Sequence, residues 1–145
     1  MDDLDAAITF YGALLEMEEV ERDSWRAPSP MHDQGIGVEN SGAEGVMLRG
    51  SNSYLEVWQY FSPEQAGDDP ATRGAHERGL RHIAIEVDDV RAALEKVVLL
   101  GGSKMNDPVE MSDDGAAAVY CRDPFGTIIE FMSVGNTLAS LDDLE

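Results

Sequence analysis

The sequence predicts an α+β fold built from two copies of one helix-and-strand unit. Three observations carry this reading. Asp3-Leu4-Asp5-Ala6-Ala7-Ile8 matches Asp89-Val90-Arg91-Ala92-Ala93-Leu94 at an offset of 86 positions (3 to 89). Each of these helical stretches is followed by strand-like runs. Each set of runs ends in one with a central glutamate, YLEVW at 54–58 and IIEFM at 128–132.

The elements follow in order. Over residues 3–15, Leu4, Ala7, Ile8, Tyr11, Leu14 and Leu15 recur at helical spacing, with Asp2 or Asp3 placed to cap the start. Residues 18–23 alternate as a strand. Residues 24–44 hold two prolines and several glycines, and read as an irregular insertion and a possible lid. Residues 46–49 and 54–61 form a hairpin about the Gly50-Ser51-Asn52-Ser53 turn. A polar connector spans 63–80. A β-rich run at 81–87 precedes a helix over 89–100 that Gly101-Gly102 stops. Strands at 109–111, 116–122 and 127–132 complete the pattern, the last two joined by an Asp123-Pro124-Phe125-Gly126 turn. The organisation is thus a first module over 1–62, the connector 63–80, a second module over 81–134 and an acidic tail over 135–145.

The copies are unequal. From helix start to glutamate is 53 residues in the first (3 to 56) and 41 in the second (89 to 130), a difference that the 24–44 insertion absorbs. The second copy also has a strand before its helix, with His82 seven residues ahead of Asp89; the same step back from Asp3 falls before Met1. The first copy therefore lacks its opening strand in this chain. A start upstream of Met1 is the favoured explanation, ahead of a partner subunit filling the gap or a natively reduced domain.

Composition narrows the function. The 145 residues carry 29 Asp plus Glu against 10 Lys plus Arg, a net charge of −19, which argues against nucleic-acid binding and against docking on anionic lipid. No apolar run approaches the roughly 20 residues of a membrane span. The start MDDLDAAITF lacks a signal peptide's basic segment. A single cysteine, Cys121, forms no internal disulfide and suits a reducing cytoplasm; it reads as an inert buried thiol. His32 and His76 sit in polar, glycine-containing stretches and read as surface residues.

Alternation selects the side chains that share a face. Glu56 falls with Tyr54, Trp58 and Tyr60, opposite Leu55 and Val57. His82 falls with Ala84 and Glu86, opposite Ile83, Ile85 and Val87. Glu130 falls with Ile128 and Met132, opposite Ile129 and Phe131. The apolar faces are expected to pack on the helices and the mixed faces to line a concave sheet. A carboxylate inside a strand loses solvation unless something compensates it. Two carboxylates and an imidazole meeting in one hollow are best compensated by a divalent cation: zinc, nickel, cobalt, manganese or iron(II).

The segments DLDAAITFY, YLEVW, HIAIEVDDVRAAL and YCRDPFGTIIEF together resemble the vicinal oxygen chelate superfamily, which includes glyoxalase I, methylmalonyl-CoA epimerase, extradiol dioxygenases and the fosfomycin and bleomycin resistance proteins. The resemblance runs from Asp3 to Met132, and RDPFGTIIEF and HIAIEVDD are its specific parts. It implies paired βαβββ modules forming an open, cupped mixed sheet, and a homodimer. It places the metal ligands at Glu56, His82 and Glu130, with no counterpart for a fourth in the missing strand. Extradiol dioxygenases leave the position of Glu56 unused, whereas glyoxalase and epimerase members use it. The implied activity is therefore that of a divalent-metal isomerase or lyase acting on a small 2-oxo or 2-hydroxy compound or thioester through an enediolate-like intermediate. Glu130 or Glu56 would be the catalytic base, and Tyr54, Trp58 and Tyr60 the pocket wall. A metal-free, resistance-type small-molecule binder and an iron(II) extradiol dioxygenase are the alternatives.

Overall fold

The structure is a computed structural model that describes residues 3–135. Apart from Gly135, the acidic tail lies outside the described residues. The chain divides into two compact units, Met1–Asp68 and Asp69–Glu145.

The first module runs α1 (Leu4–Leu15), β1 (Glu18–Trp25), α2 (Pro30–Ile36), β2 (Gly42–Arg49) and β3 (Tyr54–Ser62). The Asp3 carboxylate accepts the Ala6 N–H at 2.9 Å and caps α1. Leu4, Ala7, Tyr11 and Leu14 are buried as their spacing requires, and Phe10 joins them while Ile8 and Leu15 stay partly exposed. This stripe lies over β1, β2 and β3, whose inward residues Val46, Leu48 and Val57 complete the core. The three strands form one antiparallel sheet in the order β1-β2-β3.

The second module runs β4 (His82–Glu86), α3 (Val90–Leu99), β5 (Ser103–Lys104), β6 (Val109–Glu110), β7 (Ala117–Arg122) and β8 (Ile128–Ser133). Its sheet order is β4-β8-β7-β5, with β6 also on β7. β4 pairs with β8 in parallel, the arrangement that a crossover through α3 requires. Asp89 caps α3 by accepting the Arg91 and Ala92 N–H groups. Val90, Leu94 and Val97 of α3 pack with Val119, Cys121, Ile129 and Phe131 in the second core. No helix of the described residues is long and apolar enough to cross a membrane.

Three expectations change. Residues 24–44 are not irregular: β1 extends through Trp25, β2 begins at Gly42, and α2 occupies the middle. Periodicity missed α2 because it has seven residues and buries none of them. β5, two residues long, also lay below what a pattern can reveal. Finally, Ile83 does not pack under a helix; it is 46% exposed. The reason is topological, since α3 lies across β5, β7 and β8 while β4 forms the sheet edge.

Cys121 is fully buried and its Sγ–H donates to the Ile129 carbonyl. Burial, aided by the negative charge of Asp123, pushes the thiol up to about 11. A thiol held protonated in the fold but free to ionise when unfolded makes stability fall as pH rises through the interval from about 9 to about 11. Denaturant titrations across that interval are expected to show the decline, and Cys121→Ala to flatten it. An undiminished slope in that variant would assign the decline to other groups.

Candidate functional site

In the second module the strand register builds a polar focus. Opposite β4, Ala84 pairs with Glu130 and His82 with Ile128; opposite β7, Glu130 pairs with Tyr120 and Ile128 with Arg122. Residues directly paired share a face, so His82, Glu130, Tyr120 and Arg122 all project from the side that α3 does not cover. His82 Nε2 lies 3.1 Å from Glu130 Oε2 and 3.2 Å from the Tyr120 hydroxyl. The His82 and Tyr120 rings stand 4.7 Å apart. The side chains of His82 and Glu130 keep 31% and 18% of their exposure, enough for a ligand to reach them. Burial raises the Tyr120 pKa, and the charge of Glu130 and a hydrogen bond to it act in the same sense. Tyr120 therefore stays a neutral phenol.

Sequence reasoning grouped His82 and Glu130 together with Glu56 and overlooked Tyr120. The signal was available: alternation along 117–122 puts Ala118, Tyr120 and Arg122 on one face, and the β7–β8 hairpin sets Tyr120 opposite Glu130. Among the described residues of this module, no third carboxylate, imidazole or thiol joins the pair to form a metal-holding group.

The two donors fit a divalent ion in their chemistry and spacing. Donors about 2.0–2.2 Å from such an ion stand about 2.8–3.6 Å apart in octahedral to tetrahedral arrangements, and these two are 3.1 Å apart. A neutral imidazole nitrogen and a carboxylate at that distance need a proton or a cation between them.

Glu56 stands in the first module, on β3, sharing its face with Tyr54, Trp58 and Tyr60 as alternation predicts, while Val57 faces the core. Tyr54 and Glu56 are exposed; Trp58 and Tyr60 are half-buried. The Trp58 indole lies flat across Gly45 of β2, where a Cβ would stand 2.1 Å from the ring. The gap lets Trp58 meet Trp25 edge-on at 5.0 Å, and Trp25 in turn stacks on His32 at 4.2 Å. His32 is thus not a plain surface residue, because α2 carries it onto the indole. Asp33 anchors that segment: its carboxylate accepts the Ser41 hydroxyl at 2.5 Å and the Asn40 and Ser41 N–H groups. These bonds, the Ser41 hydroxyl first, lower its pKa. The buried Ser41 hydroxyl also accepts the Trp25 Nε1–H at 2.9 Å. The insertion therefore builds an aromatic wall on the face that carries Glu56. His76 is exposed, as expected.

Gly45→Ala is expected to displace the Trp58 ring, break its contact with Trp25 and cost about 1–3 kcal/mol. Tryptophan emission and a denaturation midpoint read both effects; an unchanged spectrum would mean the indole does not lie on the glycine.

The turn joining β7 to β8 explains the RDPFGT segment. Asp123, buried, accepts the Phe125 and Thr127 N–H groups at 2.9 and 2.7 Å. The Arg122 guanidinium donates to the carbonyls of Pro70, Arg73 and Gly126, fastening the 70–73 segment onto the turn.

Comparison with known proteins agrees with this architecture. A family model described as Glyoxalase/Bleomycin resistance protein/Dioxygenase superfamily matches residues 1–131. A glyoxalase family protein from Bacillus cereus superposes with a TM-score of 0.80 at 16% identity, over 92% of this chain and 87% of that one. Glyoxalase I from Zea mays gives a TM-score of 0.63 at 19% identity, over 94% of this chain and 43% of its own length. The fosfomycin resistance protein FosX from Listeria monocytogenes, in a complex with Mn(II), gives 0.56 at 14% identity, over 99% and 88%. No curated protein matches the chain in sequence. Since the family match takes in both helix repeats, both glutamate-centred strands and the RDPFGT turn, the chain belongs to the glyoxalase/bleomycin resistance protein/dioxygenase superfamily.

Proposed function

We propose that this protein is a divalent-metal-dependent isomerase or lyase of the glyoxalase or epimerase type, acting on a small 2-oxo or 2-hydroxy compound or thioester. The observation that carries the reading is the His82–Glu130 pair, an imidazole and a carboxylate 3.1 Å apart on adjacent strands of one sheet face. In this reading His82 and Glu130 hold the ion; Glu56, the further ligand that the family resemblance implies, occupies the matching strand position of the first module. The bound ion supplies polarisation of a substrate oxygen.

The chain's own groups do the rest. Tyr120, neutral and hydrogen-bonded to the Glu130 carboxylate, orients that ligand and offers a phenolic proton on the same face. Glu130, or Glu56, takes the proton from the carbon beside the substrate carbonyl and returns it to the neighbouring atom. The aromatic face of Tyr54, Trp58 and Tyr60 supplies apolar contact for the substrate. A homodimer in the cytoplasm belongs to the same reading, from the family resemblance and the single thiol.

A second reading is a metal-free, resistance-type binder. What favours it is the aromatic face of Tyr54, Trp58 and Tyr60, exposed or half-buried and backed by Trp25, which suits apolar contact with a small molecule without chemistry. Elemental analysis and calorimetric titration of the purified protein with zinc, manganese, nickel, cobalt and iron(II) separate the two. The metal-dependent reading expects one ion per chain; the absence of binding after reconstitution would overturn it in favour of the second.

A further inference from the structure

The second module holds a pocket of about 130 Å³ that the catalytic reading leaves unused. Its lining includes Arg73, Arg81, Gly126, Thr127 and Ile128. That volume is room for about four water molecules, the size of a carboxylate or phosphoryl group rather than of a whole metabolite.

Two observations give the pocket a chemistry. In a chain of net charge −19 with only 10 basic residues, the three arginines Arg73, Arg81 and Arg122 are drawn to this one place. Arg122 is spent on structure, its guanidinium bonding the carbonyls of Pro70, Arg73 and Gly126 that frame the pocket. Arg81 is not: its Nε–H is buried and has no acceptor among the described residues. A buried cationic donor left without an acceptor is among the more costly features a fold can retain, and a ligand is one explanation for its retention. The surroundings are shaped to the guanidinium. Its Nη2 lies against Gly79, at a positive φ of 98°, where a Cβ would come within 2.8 Å.

The pocket also adjoins the polar focus described above. Ile128 lines it and pairs in register with His82, which follows Arg81 directly in sequence. A planar guanidinium fork binds an oxyanion through two parallel N–H···O bonds. We propose that Arg81, with Arg73 beside it, binds the carboxylate or phosphoryl group of the substrate, holding an anionic molecule with its reactive end toward His82 and Glu130. The substrate assignment rests on the metal-dependent reading; oxyanion binding by the pocket does not.

The test therefore uses the full chain stripped of metal with a chelator. Inorganic phosphate and, separately, acetate are titrated while the arginine Nε–H resonances are followed by NMR. A saturable shift of the Arg81 signal with either anion is expected, and the tighter of the two tells a phosphoryl from a carboxylate pocket. Arg81→Gln should weaken that anion at least tenfold, Arg81→Lys less, and Arg91→Gln, an exposed arginine on α3, not at all. Absence of saturation by both anions in the native protein, or equal binding by Arg81→Gln, overturns the proposal. Metal titration of the same samples is independent, so failure of one reading leaves the other standing.

Discussion

Replacing His82 by Ala, or Glu130 by Gln, is expected to abolish divalent-metal binding and with it the turnover of substrate, while the fold persists. Loss of an outer partner of a metal ligand weakens affinity by about 10–100-fold; loss of a ligand itself should exceed that. Tyr120→Phe supplies the internal comparison. It removes the hydroxyl that hydrogen-bonds Glu130 but neither proposed donor, so it should fall within the smaller range. Stability should change little, because both donors remain partly exposed and Gln keeps the volume of Glu. Calorimetric titration with zinc or manganese, alongside circular dichroism, reads the two quantities separately. Equal metal affinity in native protein and Glu130→Gln would remove Glu130 from the ligand set.

Gly126→Val should be strongly damaging to stability. Gly126 has a φ of 89°, and a Cβ there would stand 2.4 Å from the Ala71 backbone nitrogen. Left-handed backbone costs a branched residue roughly 1–2 kcal/mol, and overpacking against rigid backbone adds about 1–3 kcal/mol. The total is about 2–5 kcal/mol, large against the stability of an ordinary domain. Gly115 provides the control. Its φ is 94° with nothing within 4 Å, so Gly115→Ala meets the backbone term alone, about 1–2 kcal/mol. Chemical denaturation midpoints of the two variants should therefore differ clearly; equal midpoints would mean the contact with Ala71 is not made.

What the residues disclosed, and what they hid, follows from the range over which each signal acts. Helix caps and stripes are local, so Asp3 and Asp89 located α1 and α3 to within a residue. Alternation is local too, and it put Glu56, His82 and Glu130 on mixed faces. Which strands lie side by side is not local. That β4 forms a sheet edge, leaving Ile83 half-exposed, depends on where α3 lands, and nothing in the run 81–87 encodes it. Tyr120 was hidden for a related reason: it becomes part of the focus only once β7 and β8 are in register. The insertion was misread because α2 is held by Asp33 and Ser41 rather than by an apolar stripe, and hydrogen bonds between side chains far apart in sequence leave no period.

The paired donors of the second module hang on two strands whose alignment is fixed by main-chain ladders, whereas the arginine pocket beside them is framed by the segment before β4 and the turn before β8. In the proposed reading, reactivity and selectivity thus reside on separable stretches of chain. Exchanging residues 69–81 for another sequence of equal length is then expected to retune which molecules are accepted without disturbing the imidazole and carboxylate, a route to new specificities around an unchanged donor pair.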